Sequence, residues 1–185
     1  MKKLAILSIT FLFAISVLKV QVQKTEKSEV KETKKELKGE RVALRKLEGA
    51  SVSDVAKKSF NEDFGNVPNV KWKREENFDI AIFIKDGKEI KAYYDIEGKL
   101  VGTTSPRTFA DLPAKGQLDI KAKYKDYSVG QIYFFDDNEL NESDMLLYDM
   151  QFEDADSYFV ELEKGDKKIV LKINHQEDLF FFKQL

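Results

Sequence analysis

The stretch Phe78-Asp79-Ile80-Ala81-Ile82-Phe83-Ile84-Lys85-Asp86-Gly87-Lys88-Glu89-Ile90-Lys91-Ala92-Tyr93-Tyr94 decides the fold. Phe78, Ile80, Ile82 and Ile84 share one face of a strand, and Ile90, Ala92, Tyr94 and Ile96 share one face of the next. Strict alternation of this kind is the mark of half-buried strands. The turn between them is set by parity. A two-residue Asp86-Gly87 loop pairs Ile84 with Glu89 and sends the apolar sets to opposite faces. A three-residue loop, Lys85-Asp86-Gly87, pairs Ile82 with Ile90, Ile80 with Ala92 and Phe78 with Tyr94, and puts Gly87 where a left-handed residue is needed. The apolar sets then coincide, so the three-residue turn is the expected one.

The C-terminal third carries the same pattern. Tyr158, Val160 and Leu162 lead through Gly165-Asp166 to Ile169, Leu171 and Ile173. A two-residue loop pairs Leu162 with Ile169, Val160 with Leu171 and Tyr158 with Ile173. The offset from the first hairpin is 80 before the turn (158 − 78) and 79 after it (169 − 90), as a turn shorter by one residue requires. Working outward, Ser53 or Asp54 caps a helix bearing Val55, Ala56, Phe60 and Phe64, which Gly65 ends. Asp111 and Pro113 open a second helix with Leu118, Ile120, Tyr124 and Tyr127. Strands around Trp72 and over 128–135 follow the helices, and short strands at 100–104 and 179–183 close each half. The expected fold is therefore α+β, a tandem repeat of one helix plus a four-stranded antiparallel meander, spanning 51–106 and 107–185. An acidic insertion at 136–157 holds one extra strand, where Leu146, Tyr148, Met150 and Phe152 alternate with Leu147, Asp149 and Gln151.

The 185 residues carry a net charge of −2, 12% aromatics, nine Gly and three Pro, which excludes collagen-like and aromatic-poor disordered chains. With no Cys and one His there is no disulfide, thiol nucleophile or zinc finger. Lys2 and Lys3 precede an apolar run from Leu4 to Leu18, as in a secretory signal over 1–22; fifteen residues are short for a membrane span, which takes about 20. Removing Lys2, Lys3 and Lys19 leaves 28 of 31 basic groups against 33 acidic ones, about −5, which disfavours nucleic acid and anionic membrane as partners. No stable membrane insertion is expected after signal removal. Residues 23–50 mix Lys and Glu with few large apolar groups and read as a charged linker, partly disordered or helical. The destination is periplasmic or secreted.

No base–nucleophile pair or glycine-rich phosphate loop occurs, and His175 lies in the polar run Asn174-His175-Gln176-Glu177-Asp178, where an exposed turn is expected. The chain is expected to be no enzyme and to need no cofactor. Between Lys125 and Lys164 there is no Lys or Arg, but twelve carboxylates. Asp136, Asp137, Glu139, Asp154 and Asp156 are the candidates for a calcium site; the alternatives are a solvated acidic loop or a docking patch for a basic partner. From the three-residue register, Phe83 and Tyr93 point away from the helix, with Phe159 and Val170 in the equivalent places of the second half. Aromatics on an open sheet face suit an interface centre, or else stabilise the sheet across strands. In the run Phe180-Phe181-Phe182 at least one ring falls on each face.

Trp72-Lys73, Phe78-Asp79-Ile80, Lys85-Asp86-Gly87-Lys88, Tyr93-Tyr94-Asp95, Gly98-Lys99-Leu100 and Asp111-Leu112-Pro113 together resemble the PepSY-like, or beta-lactamase-inhibitor-like, family of exported bacterial proteins. The likeness runs over 52–185 as two units. It implies a periplasmic or surface setting, a helix-plus-meander repeat and a sheet face used for binding, without enzymatic activity. The acidic insertion and the missing glycine in the last turn of the second half depart from the pattern. The expected function is an envelope protein that binds a protein or peptide through Phe83, Tyr93, Phe159 and Val170; a calcium-responsive carrier or sensor is the alternative.

Overall fold

The computed structural model describes residues 50–153 and 155–185, together with Glu40, Ala43, Arg45, Lys46, Leu47 and Gly49 of a separate leading unit, where Glu40, Ala43 and Arg45 to Leu47 are helical. The signal segment 1–22, most of the 23–50 lead-in and Asp154 lie outside the described residues. Among the described residues, no helix is long and apolar enough to cross a membrane.

From residue 50 the chain runs α1 (Asp54–Phe64), β1 (Lys71–Arg74), β2 (Asp79–Lys85), β3 (Lys88–Tyr94) and β4 (Leu100–Pro106), then a 3-10 turn (Phe109–Asp111), α2 (Ala114–Lys123) and β5 (Ser128–Asp137). A small hairpin, β6 (Met145–Leu147) and β7 (Met150–Phe152), precedes β8 (Ser157–Lys164), β9 (Lys167–Asn174) and β10 (Leu179–Gln184). Eight strands form one antiparallel sheet in the order β1-β2-β3-β4-β5-β8-β9-β10, so the two meanders join edge to edge at β4–β5. At that seam the Phe135 ring lies over Gly102, where a Cβ would come within 2.6 Å of it.

The β2–β3 register differs from the expected one. Phe83 pairs with Ile90, Ala81 with Ala92 and Asp79 with Tyr94, across a two-residue Asp86-Gly87 turn. Both turn residues have positive φ (52° and 75°), the conformation whose twist matches the flanking strands. The parity argument failed because it assumed that one face of the sheet is wet, whereas both faces of this hairpin are buried. Phe83, Ala81 and Tyr94 lie under α1; Phe78, Ile80 and Tyr93 lie on the opposite face, in a different apolar cluster. The β8–β9 register is the expected one, with Leu162 on Ile169, Val160 on Leu171 and Tyr158 on Ile173. With both turns two residues long, the offset is 79 on either side of the turn (162 − 83 and 169 − 90) and at the last strand (179 − 100).

Ser53 caps α1 by accepting from the Ala56 N–H at 3.1 Å, and the helix sets Phe60 and Phe64 against Phe83 with ring centroids 5.1 and 5.0 Å apart. The cap is tied to the sheet: the Ser53 N–H donates to Asp79 Oδ2 at 3.1 Å, and Arg74 makes a two-pronged pair with the same carboxylate at 2.7 and 2.9 Å. On α2 the close line of approach runs through Gly116 and Ile120, both buried. A Cβ at Gly116 would sit 2.5 Å from Ile173 Cδ1, so the helix backbone itself rests on the sheet. That rotation leaves Leu118 68% exposed, and Leu112, just before the helix, takes the core position.

The closing turns of the halves are built alike. Asp95 Oδ1 accepts from the Glu97 and Lys99 N–H groups, and Asn174 Oδ1 accepts from the Gln176 and Asp178 N–H groups. Gly98 and Glu177 both adopt positive φ there (74° and 63°). Glycine is needed only in the first, because a Cβ at Gly98 would meet Val55 Cγ1 at 2.7 Å.

Candidate functional site

The insertion makes the site. Expected as one strand, it reverses at Tyr148-Asp149, where both residues have positive φ (53° and 58°), and so becomes a hairpin. Its leading loop is fastened to the first half: Asn138 and Asn141 donate to the Leu100 carbonyl at 2.7 and 3.0 Å, and Asn141 also donates to the buried Asp95 carboxylate at 3.1 Å. The hairpin then lies on the helix-free face of the sheet, with Met145 and Phe152 packed among Phe135, Phe159 and Val170. Lys172, 5% exposed, extends beneath it to Glu153 at 2.6 Å and lies 5.7 Å from the Phe152 ring centre. The Lys172 ammonium holds the Glu153 carboxyl below the ordinary value. This contribution is present at neutral pH and is lost as pH falls through that depressed pKa.

Between the hairpin and the sheet edge of the first half runs a groove of about 750 Å³. Ile80, Ile82, Lys91 and Tyr93 form its floor, and Leu146, Leu147 and Tyr148 its wall. Lys73, Glu75, Glu76 and Asp149 stand on the rim. A smaller recess of about 290 Å³ continues from it along Lys91, Tyr93, Leu147 and Tyr148 toward Tyr133 and Glu161. Apolar floors with a few placed polar groups are the usual make-up of binding clefts.

The polar groups in the recess are held by one another. Tyr148 donates to Glu161 at 2.8 Å, the Tyr93 and Thr104 hydroxyls are 3.2 Å apart, and Tyr133 donates to Gln131. The Lys91 ammonium stands 5.9 Å from the Tyr133 ring centre. Burial pushes the Tyr93 phenol up to about 12, and burial with the Glu161 carboxylate also raises Tyr148. A phenol whose folded pKa is raised contributes stability that is full below its ordinary value near 10 and is lost as pH rises through the folded value. Alkaline titration followed by phenolate absorbance is expected to show Tyr93 un-ionised until pH about 12, with melting temperature falling above pH about 10. Titration of every tyrosine together near pH 10 would contradict this packing.

The expected anchors are not on an open surface. Phe83 (2% exposed) lies beneath α1, while Tyr93 (6%), Phe159 (0%) and Val170 (0%) lie on the opposite face within the layer that the hairpin covers. The two-residue turn puts Phe83 on the helical face, and the insertion folds back over the face that carries the other three. The groove residues that parity missed are Ile82, Lys91 and Leu147; the Asp86-Gly87 pair, read as a two-residue turn, places the first two opposite each other on the helix-free face.

Of the carboxylates named for calcium, Asp136, Asp137, Glu139 and Asp156 are described, and Asp154 lies outside the described residues. Adjacent positions of β5 alternate faces, so Asp136 and Asp137 diverge, and Glu139 stands exposed in the following turn. Burial and the neighbouring Asp156 charge raise the Asp136 carboxyl, against the opposing effect of Arg107. Asp156 Oδ1 accepts from the Asp137 N–H at 2.9 Å. Among the described residues no three His, Cys, Asp or Glu side chains are placed to hold a metal ion. His175 is exposed in the β9–β10 turn.

This architecture, one long antiparallel sheet with two helices on one side, is a known one. The chain is similar to a DUF2874 family protein of Bacteroides uniformis, at 12% identity and TM-score 0.60 over 72% of this chain and 90% of that one. It is similar to a BLIP-like protein of Bacteroides fragilis, at 17% identity and TM-score 0.56 over 73% and 87%. A Bacteroides eggerthii protein, assigned to the periplasm by inference, aligns at 12% identity and TM-score 0.57 over 73% and 88%. At these identities the likeness concerns the fold, which is BLIP-like. The sequence matches no family model and no curated protein.

Proposed function

We propose that this is an exported, non-enzymatic binding protein of the bacterial envelope, and that it holds a segment of another protein or a peptide in the groove beside the β6–β7 hairpin. The observation that carries this reading is the groove itself: an apolar floor and wall rimmed by charges, on the sheet face that the helices leave uncovered. Export is supported by the signal-like segment at 1–22 and by the neighbour assigned to the periplasm. The equal offsets and matching turns support an origin by duplication, after which the insertion distinguished one half from the other. The partner contacts in this reading are Ile82, Lys91 and Leu147, which are half-buried and open to the groove.

A photo-crosslinking side chain at Leu147 is expected to give a discrete adduct in intact cells, and the same group at Leu118, exposed on the helical face, is expected to give none of that mass. Ile82→Arg should remove the Leu147 adduct while shifting melting by only a few degrees, about 1 kcal/mol or less, as for other half-exposed positions. Equal adducts from Leu147 and Leu118, or an adduct indifferent to Ile82→Arg, would count against the groove.

A further inference from the structure

We propose that the free edge of β10 pairs with the same edge of a second copy of this chain, joining two eight-stranded sheets across a two-fold axis at Phe180. Among the described residues, β1 and β10 are the outer strands of the sheet. They are defended very differently. β1 is four residues long and carries Lys71, Lys73 and Arg74, a composition that discourages pairing. β10 is six residues long, with Phe180 48% and Phe181 58% exposed. Its one lysine, Lys183, is turned onto the hairpin, donating to the Tyr148 carbonyl.

The backbone selects the register. Asn174 N–H donates to the Asp178 carbonyl at 3.2 Å, continuing the β9–β10 ladder in which Leu179 faces Ile173. Hydrogen-bonded and non-bonded pairs alternate along an antiparallel ladder, so Phe180 turns its N–H and C=O toward β9. Leu179 and Phe181 turn theirs to the free edge. An axis at Phe180 sets Leu179 of each copy opposite Phe181 of the other, where those free groups meet. It sets the two Phe180 rings together as a non-bonded pair, the closest approach between side chains in such a ladder.

Side chains agree with this register. Phe180, opposite Lys172, is on the helix-free face, and Leu179 and Phe181, opposite Ile173 and Leu171, are on the helical face, so like faces like across the junction. The bulge between Phe181 and Lys183 lies outside the paired core and ends it. Because the β1 edge is short and cationic, growth stops at two copies and does not continue head to tail.

The chain has no cysteine, which gives a direct test. A self-facing non-bonded pair has the Cα separation of about 4.5 Å that a disulfide accepts. Phe180→Cys is therefore expected to form a covalent dimer at least about tenfold faster than Leu118→Cys at equal protein concentration. Phe181→Cys, which faces Leu179 and not itself, should be no faster than that control. The mass of the unmodified protein by sedimentation should rise toward twice the monomer as concentration increases, and Phe181→Lys should keep it monomeric. A Phe180→Cys rate equal to the control, Phe181→Cys linking as fast as Phe180→Cys, or a monomer at every concentration would overturn the proposal.

Discussion

Asp79→Ala is expected to be among the most damaging single substitutions in the folded unit, lowering stability by about 3–5 kcal/mol. The Asp79 side chain is fully buried and that of Arg74 is 6% exposed. Deleting the carboxylate leaves a guanidinium in the core without its two-pronged partner, and leaves the Ser53 N–H without its acceptor at the start of α1. For a unit of this size the loss corresponds to a fall in melting temperature of roughly 6–20 °C. The measurement is thermal or urea unfolding of the variant beside Arg74→Met/Asp79→Leu. The double variant should recover most of the loss, since an apolar pair of similar volume needs no compensation for burying charge. A single variant that melts within a degree or two of the parent would show that the pair lies in water and not beneath the helix.

The second large effect concerns two phenylalanines on opposite faces of the sheet. Phe83→Ala and Phe159→Ala should each cost about 3–5 kcal/mol, the range for emptying a packed aromatic site. Phe83 touches Phe60 and Phe64 of α1, whereas Phe159 touches Phe152 of the hairpin and Phe182 of β10, at centroid distances of 4.9 and 5.0 Å. The consequences therefore differ in place. Phe159→Ala should speed proteolysis within 138–152, by freeing the hairpin from its bed, and Phe83→Ala should leave that cleavage slow in the still-folded fraction. Limited proteolysis followed by mass mapping separates the two. If both variants melted like the parent, the two faces would not be buried as described.

The reach of the sequence can be seen in particular residues. Trp72 and Phe60 announced their elements through period, because their neighbours on the strand or helix face outward. Val160 and Leu171 did so although Phe159, Val170 and Lys172 beside them are buried, because charged Glu161, Glu163, Lys168 and Lys172 preserve the alternation in the sequence. The β8–β9 turn was legible because those charges mark one face even though both faces are covered. The β2–β3 turn was not, since Ile80 and Phe83 are both buried, on opposite faces, and the alternation from which parity is read no longer distinguishes them. Local turn chemistry at Asp86-Gly87 carried the correct answer there. The insertion was harder still. Tyr148 at positive φ has no signature in sequence, and it is held by contacts made far away in the chain, from its hydroxyl to Glu161 and from Lys183 to its carbonyl. Anchors placed on the open face were misplaced because nothing local says that residues 138–152 fold back over them. Spacing alone does not say which of Leu118 and Ile120 faces the sheet; the bare backbone at Gly116 resting on Ile173 shows which way the helix is rolled.

The layer under the hairpin has one more consequence. It takes Phe78, Ile80, Tyr93 and Val101 from the first half and Phe135, Phe159 and Val170 from the second. Halves that meet along a single pair of strands, with a glycine at the seam, would otherwise come apart like two leaves of a book. With the ribbon laid across the spine, neither leaf can open without wetting side chains that belong to the other. Melting of the two leaves is thereby expected to be a single event.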